Sequence, residues 1–273
     1  MNFLEILTYP FFQNALAAVV MLSICSAIIG TYVISRRMVA ISGGITHACF
    51  GGLGLGYYLG ISPLATAAGF AVASSAAVEW MSRRLDIRED SAIAVVWAIG
   101  MAVGVLFVFL TPGYVPELNA FLFGNVLTVS GADLAAFGVF TVVLTAFFFS
   151  RRRTIIACAF DPDFARVAGL PVNFISYAMT VLVAICIVLT IRVAGIMMLM
   201  SMLSLPMMAA ETFSSRFIPV MRSSVAISLL CSVAGLFASA IIDVPASALI
   251  VLLMSGVYVA ARTAKGLARA VRG

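Results

Sequence analysis

Long apolar runs, separated by short segments that hold nearly all the charge, constrain this chain more than any other feature. Runs close to membrane-spanning length fall at roughly 12–35, 38–60, 63–82, 91–110, 131–150, 172–191, 195–213, 224–242 and 246–262. Charged residues make up only 10% of the 273 residues and hydrophobic ones 63%, whereas soluble domains carry about 25% charged residues. An ordinary globular fold is therefore excluded. The expected fold is an all-α membrane protein, a helical bundle of about nine transmembrane spans, with eight possible. Residues 1–273 then form one transmembrane domain.

The basic residues orient it. With the N-terminus outside, all of the 16 Lys and Arg except Arg192 fall on cytoplasmic segments, and the C-terminus is cytoplasmic too. The opening residues carry Glu5 and no basic region, so no cleavable signal peptide is expected. Five scattered cysteines without a CxxC pair indicate neither a disulfide framework nor a zinc knuckle.

Two segments break the pattern. Residues 111–130 contain two prolines and Glu117, and suit an outer loop with a short helix that dips toward the membrane against protein. The largest cytoplasmic connection, about 151–171, carries its own helix signals. Asp161 is placed as N-cap, Pro162 at the first helical position and Asp163 in the first turn, with Gly169 and Pro171 as the stop. A short amphipathic helix in such a loop packs on its own bundle or docks a soluble partner, and docking is the favoured reading.

Several chemistries are missing. No GxxxxGK[ST] occurs and the one lysine is Lys265, so the chain builds no P-loop. There is no HExxH, no histidine pair and no GxSxG, which leaves hydrolase layouts without their parts. Glu79 with Arg83 reads as a helix pair, Asp133 as a complement to a helix N-terminus, and Asp243 as a turn residue. Glu211 follows a kink expected at Pro206 and is assigned a structural role. Arg192 is either an interfacial anchor or a contact for an acidic outer partner. The methionines at 197, 198, 200, 202, 207 and 208 suit packing better than ligation of a soft ion.

The only histidine, His47, lies in an uncharged run some 15 Å from Arg37, near the middle of the hydrocarbon core. An ionisable group at that depth is a functional candidate by default. Gly43, Gly44 and Gly51 stand three or four residues from it, so they share its helix face and leave the imidazole room. Beside that face runs a strip of small residues, Gly44, Ala48, Gly52, Gly56 and Gly60, which suits close helix packing within a subunit or at an interface. His47 is the candidate metal ligand, Gly43, Gly44 and Gly51 the candidate pathway lining, and Gly52, Gly56 and Gly60 the packing strip.

The segments SGGITHACFGG, LFGNVLTVSGADL, DPDFARVAGLP and VAGIMMLMSMLSLPMMAAE occur in an order and spacing that resemble the membrane permease of bacterial zinc- and manganese-type ABC importers. The resemblance covers nearly the whole chain. It implies a homodimeric permease of the bacterial inner membrane carrying zinc first, then manganese or iron, with no permanently bound cofactor. It also implies a cytoplasmic ABC ATPase that uses the ATP, and a periplasmic or lipid-anchored metal-binding protein. Membrane lipid surrounds it, and nucleic acid is no partner. The ATPase-coupling residues would be Phe160, Asp161, Asp163, Phe164, Arg166, Gly169 and Leu170. One position departs: where the family pattern has an aspartate four residues before the histidine, this chain has Gly43. A chelated metal, siderophore or corrin is therefore an alternative cargo, and an ATP-independent secondary transporter or channel a further alternative.

Overall fold

The computed structural model describes residues 8–112 and 126–270, and among these every regular element is helical. Nine α-helices follow in order: α1 (Pro10–Ser35), α2 (Ala40–Leu59), α3 (Pro63–Arg84), α4 (Glu89–Leu110), α5 (Gly131–Phe160), α6 (Pro162–Val167), α7 (Val172–Glu211), α8 (Phe217–Ile242) and α9 (Ala246–Ala270). Seven of them, α1, α3, α4, α5, α7, α8 and α9, are long and apolar enough to cross a membrane. The glycines and His47 lower the hydropathy of α2, which is nonetheless twenty residues long. Most of the loop expected at 111–130 lies outside the described residues; its end forms a 3-10 turn at Val126–Thr128.

Local chemistry sets the helix ends. Pro63 opens α3 while the Ser62 hydroxyl accepts from Ala65 N–H. At α5 the hydroxyl of Ser130 accepts from Asp133 N–H and the Asp133 carboxylate accepts from Ser130 N–H, a reciprocal capping box. The helix α5 runs past the arginine triplet that was expected to begin a loop. It bends at Arg151 and continues to Phe160, because Ile155, Cys158 and Ala159 form a buried stripe beyond the bend.

The core lies along α1 and α7. Phe12, Leu22 and Ile29 of α1 are enclosed, as are Ile175, Met179, Cys186, Leu199 and Met202 of α7. By contrast α4 and α5 show apolar side chains outward, Val95, Ile99, Leu106 and Phe109 on one and Val139 and Val142 on the other. An outward apolar surface on helices of this length suits hydrocarbon, where each helix satisfies its own backbone.

The forty residues of α7 would span about 60 Å if straight, twice the thickness of a bilayer core. They do not run straight. Near its start, Ser176 accepts from Arg36 at the end of α1 (2.6 Å) and Asn173 accepts from Arg83 at the end of α3 (2.5 Å). At its close, Glu211 shares a cavity with Arg36 and Arg37. Midway, Arg192 forms an ion pair with Asp133 at the opposite end of the bundle. The chain therefore doubles back, and Gly195, at φ 76° and ψ 170°, makes the break. Only glycine adopts that backbone conformation readily. Replacing it, as in Gly195→Ala, is expected to cost roughly 1–3 kcal/mol, seen as a lower melting temperature in detergent. An unchanged melting temperature would place the reversal elsewhere.

Candidate functional site

Two regions hold the candidate residues: the His47 face of α2 and the arginine-rich end of the bundle. In lipid, helix association gains little from apolar burial, and close backbone approach takes its place. The glycines of α2 provide this on two sides. Toward α4, a Cβ on Gly100 would stand 2.4 Å from the Ala48 Cα, and one on Gly54 would stand 2.5 Å from the Gly104 carbonyl oxygen. Toward α3, a Cβ on Gly52 would meet the Thr66 carbonyl oxygen at 2.5 Å, and one on Gly56 the Pro63 Cα at 2.7 Å. Gly60 plays a different part from the strip it was grouped with. It is the left-handed cap of α2, φ 66°, and open space surrounds its Cα.

His47 sits on the rim of the α2–α4 seam, half-buried. Its ring lies parallel to that of Trp97 on α4, with centroids 4.8 Å apart and planes 2° apart. Gly44 packs on the Ile93 side chain, and Gly51 fits between the Gly100 carbonyl and the Phe70 ring. Gly43 is buried under the methyl of Met200 in the second half of α7, 2.7 Å from where its Cβ would be. Met200 thus fills the space one turn before His47. Among the described residues, no three His, Cys, Asp or Glu side chains come together as a metal cluster. Sequence spacing showed His47 and its glycines but neither Trp97 nor Met200, which come from distant helices. The one available signal was that Trp97 is one of only two tryptophans in the chain.

At the arginine-rich end, a polar network joins four helices. Glu79 of α3 is only 2% exposed. Its carboxylate accepts from Ser176 (2.5 Å), Thr180 (3.3 Å) and Arg83. Arg36 donates to Ser176, to the Tyr32 hydroxyl and to Glu89 of α4. The i,i+4 pair of Glu79 and Arg83 was legible in the sequence, but its partners on α7 were not.

The short helix α6 borders this network. The Asp161 carboxylate accepts from Phe164 N–H (2.8 Å), Pro162 holds the first helical position, and Asp163 pairs with Arg166. Gly169 turns with φ 74°, and Leu170 N–H returns to the Ala165 carbonyl, closing the helix in the manner of a Schellman cap. Ala165 is buried, whereas Phe160, Phe164 and Val167 are exposed. Pro162 and Arg166 line a cavity of about 710 Å³ with Arg36, Arg83, Glu89 and Asn173. Phe160 and Pro162 border a second of about 470 Å³ that reaches Glu211. Arg192, at the other end, has a partner within the chain in Asp133.

These features describe a multi-pass membrane protein with a polar face at one end and an exposed short helix beside it. The chain belongs to the ABC 3 transport family, which it matches over residues 8–265. It is accordingly a transport subunit and not an enzyme. It is similar to a probable metal transport system membrane protein of Chlamydia pneumoniae, 33% identical over 97% of this chain and 91% of that one. The manganese transport system membrane protein MntC of Halalkalibacterium halodurans is 31% identical over 93% of this chain and 87% of its own. This chain shares its fold with PsaBC from Streptococcus pneumoniae, solved in complex with a Fab, at a TM-score of 0.81 and 24% identity over 95% of this chain and 94% of that one.

Removing a buried charge from a network costs far more than removing an exposed one. Glu79→Ala is expected to destabilise the detergent-purified protein by about 3–5 kcal/mol, because Arg83 and Arg36 lose a buried counter-charge. Arg166→Ala, at an exposed pair, should leave the melting temperature unchanged. Equal effects of the two would show that the network carries no special weight.

Proposed function

We propose that this chain is the permease subunit of an ABC importer that carries a divalent transition-metal ion across the bacterial inner membrane. The observation that carries the reading is α6, a capped helix that holds Phe164 and Val167 out from the bundle beside the cavity lined by Arg36, Arg83 and Arg166. In a family whose name denotes ABC transport, that surface suits a separate ATPase, which uses the ATP. The metal cargo is supported by the names of the Chlamydia and Halalkalibacterium relatives. Imidazole ligation favours zinc over manganese on intrinsic affinity, while the Halalkalibacterium relative brings manganese forward, with iron as the third candidate.

In this reading the membrane is crossed nine times: once each by α1 to α5, twice by α7, and once each by α8 and α9. The N-terminus lies outside, and the arginine-rich end faces the cytoplasm. Two copies would pair, with an outer metal-binding protein delivering the ion between them. His47 would meet the ion at mid-depth, while Gly43, Gly44 and Gly51 let Met200, Ile93 and Phe70 pack close to α2 around it. Closure of the ATPase on α6 would move the cytoplasmic ends that Arg36 and Glu79 hold together, so that access alternates.

Proteoliposomes holding the permease, its cognate ATPase and the outer binding protein test the proposal with radiolabelled zinc or manganese. Uptake should require ATP. His47→Ala should lower it by at least the roughly tenfold that even the loss of a supporting residue costs a metal site. Phe164→Asp should abolish coupling without unfolding the bundle. Metal uptake by the permease alone, with no ATPase, would overturn the proposal.

A further inference from the structure

His47 lacks the carboxylate that would ordinarily orient a ligating imidazole from its own helix face, since position 43 is glycine under Met200. Its ring is nevertheless held. Trp97 lies flat against it, with centroids 4.8 Å apart and planes 2° apart, and tilting the imidazole out of that plane about its Cβ–Cγ bond would break the contact. The two rings are kept in register by the backbone beneath them. Gly100, three residues after Trp97, meets Ala48, the residue after His47, so closely that a Cβ there would stand 2.4 Å from the Ala48 Cα. Trp97 is half-exposed on the outward side of α4, so the helix contact places it over the imidazole without enclosing it.

We propose that Trp97 is the positioning residue for His47 and takes over the electrostatic part of the missing carboxylate. The inference rests on the reading of His47 as a pathway residue. A metal ion approaches an imidazole nitrogen along the lone pair, in the plane of the ring. A stack on the ring face therefore leaves both nitrogens open, whereas a hydrogen-bonding partner occupies one of them. The indole face carries negative potential. A neutral imidazole that takes a divalent cation becomes strongly positive, and an aromatic face within about 6 Å of a cation stabilises it. The stack thus favours the metal-loaded ring over the empty one, and fixes the plane in which its nitrogens lie.

Cobalt(II) binding to the purified full-length chain tests this. In a Trp80→Phe background, where Trp97 is the one remaining tryptophan, cobalt(II) should quench the indole fluorescence, and His47→Ala should abolish the quenching. By calorimetry, Trp97→Leu should weaken cobalt(II) binding roughly tenfold, and Trp97→Phe should bring it back to within about threefold of wild type. In a His47→Ala background, Trp97→Leu should cause no further loss. If the leucine variant fails to fold, Trp97→Met, whose longer and more flexible side chain fits irregular gaps without a π face, serves in its place. Wild-type affinity in the leucine or methionine variant, or a loss that persists undiminished without His47, overturns the role of Trp97. Cobalt(II) binding and metal uptake both unaffected by His47→Ala would instead remove the pathway reading on which the inference stands.

Discussion

A carboxylate that is nearly withdrawn from solvent organises one whole end of this protein. Glu79 could not remain there without donors, since a buried charge lacking partners costs several kcal/mol. Its donors come from three places: Arg83 one turn along α3, and Ser176 and Thr180 on α7. Ser176 in turn accepts from Arg36, which reaches Glu89 on α4. The ends of α1, α3, α4 and the start of α7 are therefore fixed relative to one another by charge and hydrogen bonding rather than by apolar packing alone. This is the end at which the short helix α6 sits, with Pro162 and Arg166 lining the same cavity.

The opposite end is held differently. Asp133 caps α5 through Ser130 and also pairs with Arg192, just before the reversal at Gly195. The two halves of α7 thus hang between an ionic contact at one end and the arginine-rich network at the other. The returning half comes back along α1, where the Met207 side chain leaves no room for a Cβ on Gly30. Between the two ends, the His47 face of α2 meets Ile93, Trp97 and Gly100 of α4, the Phe70 ring of α3 and the Met200 methyl. Charge is concentrated at the ends, and the middle is held by glycine contacts, the His47–Trp97 stack and uncharged contacts such as Ser228 to Ser23 (3.2 Å).

Much of the helix plan was legible because its signals are local. Arginines and prolines punctuate the apolar runs, and Asp161, Pro162 and Gly169 mark α6 within a few residues. The sequence misled where packing overrides composition. Arg151, Arg152 and Arg153 look like the start of a loop, yet the helix continues because Ile155 and Cys158 have a buried surface to meet. Gly60 shares the spacing of the packing strip but terminates its helix, since a left-handed residue is what the end of α2 requires. Of the candidate site, His47 and its glycine neighbours could be read from one helix. Trp97, Met200 and Ser176 could not, because each reaches its partner across 40 or more positions and no periodicity along one helix encodes that meeting.

If α7 reverses at Gly195, both of its ends lie at the arginine-rich end of the bundle. All five cysteines are buried and free, so a cysteine-free background can carry single reporters at the helix ends and at the reversal. Asn173→Cys, Arg192→Cys and Ser215→Cys would be labelled with a membrane-impermeant maleimide in vesicles of known sidedness. Positions 173 and 215 should react from the cytoplasmic face and 192 from the outer one. Labelling of 173 and 215 from opposite faces would contradict the reversal.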